Sequence, residues 1–271
     1  CVPTYRVSPN SPFSIGVKGL DRRINRAEER YSRVYLDILG LIAIGRYRPG
    51  DRLPSHAELC QTYGVSVDTT VKAIQLLQKW GVVVAIRGKG IFVAMDIESL
   101  NEIHIDSNLI AYHIRRYIDS LELLSLTIEG VAAHAASHVS TEEAVKLNDE
   151  IENLWNCEYL YQLSPIALLE FLVDHIQYKA LKAIYKVVKD NYHIGRSIPK
   201  LISKTKNAKN CEIHKQCREA VNELIEGNSN CFAKRTAKMF QYTHNMIIDE
   251  CKHLNYWAPA MNVYDGSILW K

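Results

Sequence analysis

The sequence predicts a mostly α-helical protein in two parts: a small helix–helix–hairpin unit near the N-terminus, then an all-α bundle. Three observations predict it. Within residues 53–94, two short capped segments precede a pair of apolar, partly β-branched runs flanking Arg87-Gly88-Lys89-Gly90. Beyond Ser107, strand signals nearly vanish and amphipathic segments follow one another. Charge divides along the same line. Residues 20–94 hold 12 Lys/Arg against 7 Asp/Glu, whereas the whole chain of 271 residues is only +3, so the remainder is mildly acidic.

In the N-terminal unit, Ser55 stands three residues before Glu58, a capping box that opens a helix over 56–63. Gly64 suits the left-handed position that ends it. Ser66 can cap the next helix and Gly81 can stop it. Thr70, Ala73, Ile74 and Leu77 recur at i, i+3, i+4 and i+7, which buries one face against the first helix. Val67, Asp68, Val71 and Lys72 occupy the free face. Runs 82–86 and 91–94 then read as a hairpin, with two cations and two glycines at its tip. This order describes a winged helix-turn-helix, whose second helix offers its free face to the DNA major groove and whose wing can approach phosphates. The candidate DNA-contacting residues are Ser55, His56, Ser66, Val67, Asp68, Thr69, Lys72, Arg87, Gly88, Lys89 and Gly90. The alternative is a small helical subdomain with a hairpin that never meets DNA.

The stretches PGDRLPS (49–55), GVS-x2-T (64–69) and GKGIFVA (88–94) resemble the DNA-binding domain of the GntR family of bacterial transcriptional regulators, over roughly residues 31–94. The resemblance implies a regulator that binds a palindromic operator on double-stranded DNA as a homodimer. Many relatives carry arginine where this chain has Ala57, Val67 and Val71. Base readout therefore cannot rest on bidentate arginine–guanine pairs from those positions. Asp68, Thr69, Lys72 and His56, with Arg87 and Lys89 on the wing, are the available substitutes.

Length allows two domains with cores of their own. There is no uninterrupted apolar run of about 18 residues, so no membrane span is expected. The seven cysteines are scattered without a C-x2-C pair, which fits reduced thiols in a cytoplasm better than a disulfide framework or zinc finger. Cys60 reads as a small core residue; a redox-sensing role for Cys211, Cys217 and Cys231 lacks an electropositive partner.

Residues 1–19, with Pro3, Pro9 and Pro12, read as an extended arm, either a simple leader or a trailing end of something upstream. Residues 20–95 form the winged helix-turn-helix. Its first helix, over 20–44, carries the stripe Tyr31, Val34, Tyr35, Ile38, Leu41 and Ile42 and ends at Gly45. Arg22, Arg23, Arg26, Arg30 and Arg33 can either reach phosphates or form a solvated face paired with Glu28 and Glu29. Residues 96–106 read as a polar linker, 107–256 as an all-helical ligand-binding and dimerisation domain, and 257–271 as a C-terminal tail.

Within the helical domain, Ser107 is expected to cap a segment to Leu124, followed by an alanine-rich helix over 126–138. Ser140-Thr141-Glu142-Glu143 forms another capping box leading toward Cys157. Ser164-Pro165 reads as cap and first helical residue. The helix that follows, with Leu168, Phe171, Leu172, His175 and Ile176, is read as continuing to Val188 and breaking over 191–199. Helices over 211–226 and 229–254 complete six or seven in all. The domain resembles the helical effector-binding domain of the FadR branch of the same family, best over 129–147 and around 223–227. In many relatives an Asp and three His in this domain bind a metal; the aligned positions here are Pro165, Leu169 and Cys217. The resemblance thus implies the fold and a central cavity, without that metal site and without a cofactor.

His134 and His138, at i and i+4, have a spacing that can bind zinc but lack an identifiable third ligand. Arg115 and Arg116 can serve an anionic ligand or form a solvated face. These four are the candidate effector-binding residues. No nucleophile-and-base arrangement, phosphate loop or zinc-peptidase helix occurs, so no catalytic residue is assigned. A ligand-responsive transcriptional regulator is the leading expectation. A metal-dependent helical enzyme or sensor with an appended winged helix, and an effector-free architectural DNA-binding protein, are the alternatives.

Overall fold

The computed structural model describes residues 26–43, 46–95, 99, 103, 105–156, 163–196 and 207–262. The N-terminal unit consists of α1 (Arg26–Ala43), α2 (His56–Tyr63), α3 (Val67–Lys79), β1 (Val83–Ile86) and β2 (Gly90–Val93). The strands pair antiparallel, with Val83 opposite Val93 and Ile86 opposite Gly90. Tyr35, Ile38 and Ile42 of α1 pack with Leu59, Ala73, Ile74, Leu77, Val83, Ile91 and Val93 in one buried cluster. Trp80, just past α3, meets the Tyr35 ring edge-on at 5.2 Å. The expected α1 stripe is only part of the buried surface, because Leu36 and Leu39 are buried too. Residues 1–25 and Gly45 lie outside the described residues, so the arm and the expected start of α1 at Leu20 do as well.

The second part holds α4 (Ser107–Ala136), α5 (Thr141–Asn156), α6 (Ser164–Asp174), α7 (Lys179–Arg196), α8 (Ala208–Ile225), α9 (Ser229–His253) and α10 (Trp257–Asn262). At 30 residues, α4 spans about 45 Å and packs against α6, α7, α9 and α10. The two helices expected over its length are one. Where the two were expected to part, the Ser125 and Thr127 hydroxyls bond back to the carbonyls of Glu122 and Leu123 at 2.7 and 2.6 Å, so they do not compete with the helix. Its cap is Asp106 rather than Ser107: Asp106 Oδ1 accepts the Asn108 N–H at 2.9 Å. The capping box at Ser140 is present, with the Ser140 N–H donating to Glu143 Oε2 at 2.9 Å.

Three further expectations are corrected. Ser164 does not cap α6: it is the first helical residue, fully buried, with its hydroxyl 3.4 Å from His214 Nδ1. The helix through Leu168 stops at Asp174. His175 closes its last turn with its N–H to the Phe171 and Leu172 carbonyls at 3.3 and 3.2 Å, Lys182 Nζ donates to the Asp174 carbonyl at 2.9 Å, and a new helix starts at Lys179 and runs past Asn191 to Arg196. The chain after α9 does not simply trail away, since α10 packs on α4 and α9 with Ala260 fully buried.

The boundary between the parts is not a polar linker alone. Ile105 and Leu109 are buried in the winged-helix cluster, and Ile110 packs against both clusters, so the first turn of α4 belongs to both cores. Further along, the Arg116 guanidinium donates to Glu29 of α1, and Arg33 pairs with Asp190 of α7 at 3.0 Å. Arg33 thus turns toward the bundle, where either a phosphate contact or a solvated face was expected. Between these pairs the fully buried Ser32 hydroxyl donates to the Glu29 carbonyl at 2.9 Å and lies 2.8 Å from His113 Nε2. With that hydroxyl hydrogen committed, the ring N–H is left to donate to Ser32 Oγ. Burial, and then the nearby Arg33, push the His113 pKa down to about 3, so the ring is neutral.

At Gly195 α7 comes close to α4, because a Cβ built there would fall within the side chain of the fully buried Tyr117. Gly195→Ala is expected to destabilise the protein by about 2 kcal/mol or more through overpacking, read as a lower urea midpoint with the slope unchanged.

Candidate nucleic-acid interface

The interface begins with two well-capped short helices. The Ser55 hydroxyl donates to Glu58 Oε2 at 2.7 Å and accepts the Glu58 N–H at 3.3 Å, closing the box that starts α2. Gly64 ends α2 in the left-handed region at φ 62, where a side chain would be strained. Ser66 Oγ accepts the Thr69 N–H at 3.4 Å and lies 2.9 Å from Thr69 Oγ1, starting α3. The inner face of α3, Thr70, Ala73, Ile74 and Leu77, is buried as the spacing predicts. Val67 is 55% exposed, Asp68 and Lys72 are exposed, and Val71 is half-buried, so the outer face is free.

The candidates divide by what their side chains already do. Ser55, Ser66 and Thr69 are engaged in helix caps. His56 is half-buried with Nδ1 3.0 Å from Thr70 Oγ1, tying the start of α2 to the buried face of α3. Cys60, expected in the core, is half-buried with its sulfur 3.9 Å from the same hydroxyl. Asp68, Lys72, Arg87 and Lys89 project from the surface. The residues on α2 and α3 sit on one body with the hairpin that carries Arg87 and Lys89, because α3 packs against β1 and both contribute to the same core.

The wing is broader than two strands. Gly50 donates to the Val93 carbonyl at 2.8 Å, Val93 to Asp51 at 2.9 Å, and Leu53 to Ile91 at 2.8 Å, so the segment before α2 lies along β2 as a third edge. Within it Leu53 is buried and Arg52, its neighbour, is exposed. Arg52 pairs with Phe92 across this edge, and its Nε sits 2.8 Å from where a Gly90 Cβ would stand. Arg52, within the PGDRLPS stretch, was not among the expected DNA contacts; the signal for its place is the alternation of exposed Arg52 with inward Leu53. Arg52, Arg87 and Lys89 thus gather cationic side chains on the hairpin, while α3 offers Lys72 and Lys79.

The four candidate effector residues do not form one site. Arg115 and His134 are separated along α4 by about 28 Å. Arg115 pairs with Asp119 at 2.9 Å and contacts the Met261 sulfur, while Arg116 is held by Glu29 and by Tyr112 Oη at 3.0 Å. At the other end, the His134 and His138 rings lie 4.8 Å apart, and His134 stacks on Tyr178 while its Nε2 accepts the Gln177 N–H at 3.3 Å. Of the positions aligned with the family's metal ligands, Pro165, Leu169 and Cys217 are all buried. Among the described residues no group of three or more His, Cys, Asp or Glu is placed to hold a metal ion.

Three helices, the last facing outward, and a cationic hairpin on one core define a winged helix-turn-helix protein with a helical domain attached. Residues 30–93 match the model of the bacterial regulatory proteins, gntR family. The chain is 30% identical over 177 residues to the histidine utilization repressor of Klebsiella aerogenes, covering 54% of this chain and 73% of that one. It therefore belongs to the GntR family, a family of transcriptional regulators rather than enzymes. It is also 39% identical over 61 residues to the transcriptional regulator TreR of Bacillus subtilis, covering 22% of this chain. With the probable fructoselysine utilization operon repressor of Escherichia coli K12 it shares 43% over 63 residues, or 23% of this chain. Those two matches span about a quarter of the relatives' length, 26% in each case. Two solved structures match this chain at low overall similarity: Streptococcus agalactiae GntR (TM-score 0.39, 17% identity, 80% of this chain and 99% of that one) and E. coli McbR/YncC (0.38, 15%, 81% and 97%).

Gly90 has φ +120, and any side chain there would also meet Arg52. Gly90→Ala is expected to cost about 1–2 kcal/mol and to displace the Arg52 guanidinium, measured as a lower melting temperature together with shifted Arg52 Nε–H resonances.

Proposed function

We propose that this GntR-family regulator binds a palindromic operator as a homodimer, laying α3 in the major groove and setting its wing on the adjoining phosphates. The observation that carries the reading is the exposed outer face of α3 on the same rigid core as a cationic hairpin. Val67, Asp68, Thr69 and Lys72 then face base edges, and Arg52, Arg87 and Lys89 supply phosphate contacts. The helical domain, fixed to α1 by the Glu29–Arg116 and Arg33–Asp190 pairs, receives a small-molecule effector and transmits its state to the reader. The protein acts in the cytoplasm with its DNA; none of the described helices is long and apolar enough to cross a membrane.

The dimer reading is supported by α7. Ala180, Ala183, Ile184 and Val187 recur at i, i+3, i+4 and i+7 and are all exposed, with Ile184 and Val187 at 52% and 50%. Beside them, α4 is joined to α7 through Thr127 and Tyr185 at 2.6 Å and exposes Leu126 at 76%. Exposed Lys179 and Lys186 on α7 and Glu122 and Glu129 on α4 give this face both signs of charge, as a self-complementary two-fold contact requires.

Two experiments test these halves. The Arg87→Ala/Lys89→Ala double variant is expected to bind all duplexes more weakly and to flatten the plot of log K against log salt by about two units. An unchanged slope in fluorescence anisotropy would place the wing away from DNA. Ile184→Asp is expected to convert dimer to monomer by analytical ultracentrifugation and to lower operator affinity at least tenfold; a dimer that persists rejects α7 as the contact.

A further inference from the structure

We infer that residues 175–178, which join α6 to α7, form a proton-responsive joint, held from two sides by histidines with opposite proton requirements. On one side is His175 itself. Its Nδ1 lies 2.8 Å from the Phe171 carbonyl and its Nε2 3.4 Å from Glu143 Oε1 at the start of α5. Both neighbours are acceptors, so the ring makes both contacts only as the imidazolium, the one form with two N–H groups. On the other side is His134, near the end of α4. Its Nε2 accepts the Gln177 N–H at 3.3 Å, so that nitrogen carries no proton. One ring must hold its second proton and the other must lack it.

The surrounding groups sharpen the contrast. Hydrogen bonds from the Ser140 backbone and hydroxyl, then from His175, hold the Glu143 pKa down to about 2, so it stays a carboxylate wherever histidines titrate. His138 directs Nδ1 at the His134 carbonyl, 2.9 Å away, and makes that bond in either charge state. Its ring centroid is 4.8 Å from that of His134, so charges on the two repel. Tyr178 stacks on the His134 ring at 4.9 Å, a contact that a cation keeps. Of the remaining charged groups, Glu142 pairs with Lys146 at 2.7 Å, Lys182 Nζ is bound to the Asp174 carbonyl, and Asp174 and Lys179 are exposed. A proton on His134 Nε2 sets one N–H against another. What the joint then loses is its hold on the Gln177 backbone, not the place of the ring. Alkali acts on the other side, where a His175 ring without its second proton turns a lone pair toward Glu143.

The position gives the joint its consequence. Ile176 is buried in the bundle core, while Gln177 and Tyr178 are exposed and lead directly into α7. The Tyr178 carbonyl accepts the Lys182 N–H at 2.9 Å, the bond that opens α7. Acidification therefore loosens the first turn of α7 from α4, and with it the apolar face that begins at Ala180. That this weakens the dimer rests on the dimer reading above; the joint does not.

The test follows the full isotope-labelled chain by NMR from about pH 8 to about pH 5. The Gln177 amide resonance is expected to move in step with the His134 ring signals. In His134→Gln, whose side-chain oxygen stands in for Nε2 and does not titrate, the amide is expected to lose that step and stay slow to exchange. A Gln177 amide that ignores the His134 titration, or titrates as before in His134→Gln, overturns the joint. The wild-type titration decides this whether or not the variant folds. Sedimentation is expected to show the wild-type dimer dissociation constant rising about threefold or more on acidification, the effect of about one hydrogen bond, and His134→Gln losing that rise. A joint that titrates while the dimer constant stays level overturns the coupling and keeps the joint. A chain that is monomeric at every pH overturns the dimer reading instead, and the NMR result still decides the joint.

Discussion

Glu29 of α1 and Arg116 of α4 meet where the two parts of the chain join, and the placement of the DNA reader depends on this contact and its neighbours. Both side chains are roughly three-quarters buried. Removing one partner would leave the other as a poorly hydrated charge, a larger penalty than the net worth of the pair. The neutral His113 beside Ser32 adds a directional hydrogen bond within the same seam, and Arg33–Asp190 adds a second ionic contact to α7. Because α1 also forms the floor under α3, fixing α1 to the bundle fixes the recognition helix. A seam built from polar and ionic contacts has a definite geometry, and its strength depends on how its partners are set. A small displacement of α4 would reach α3 through α1 without requiring any element to unfold.

Much of the reader was legible in the sequence because it is written in local chemistry. Capping boxes act over three residues, so Ser55 with Glu58 and Ser140 with Glu143 declared their helix starts unaided. The buried face of α3 followed from spacing alone. The errors fell where tertiary contacts decide. The break after Asp174 has no proline or glycine; the His175 N–H still reaches back to the Phe171 and Leu172 carbonyls, while the Asp174 carbonyl is bound by the Lys182 ammonium instead of a helical N–H. The opposite error came at the junction near Ser125, where one helix continues and the serine hydroxyl bonds back to the Glu122 carbonyl. The boundary was misread for a related reason: Ile105 and Leu109 look like the start of one domain and are buried in the core of the other.

The candidate site was legible in its outline and less so in its detail. Position 67 was named as outward-facing, and it is. The caps were named as DNA contacts, although a cap spends the hydroxyl on the backbone first, and His56 likewise faces Thr70. Arg52 escaped because its role depends on pairing across the wing edge, with Gly90 leaving room for it. The effector residues were grouped by residue type, whereas the geometry of a single long helix separates the arginines from the histidines.

Under the proposed docking, affinity and selectivity reside on different elements. The wing concentrates Arg52, Arg87 and Lys89, and cations facing phosphates contribute a term that is large, salt-dependent and blind to sequence. The outer face of α3 contributes little to that term, since Asp68 repels phosphate and Val67 and Val71 replace potential cations. What those residues can do is discriminate: an aspartate accepts from a cytosine amino group, and valine methyls fit against a thymine methyl. A recognition helix of this composition loses affinity at every wrong base without gaining much at the right one. Tight binding then requires two such helices to engage at once, so the spacing between the two readers of a dimer becomes the controlling variable. In that proposed dimer, the seam between α1 and α4 is where each reader is fixed to its own bundle.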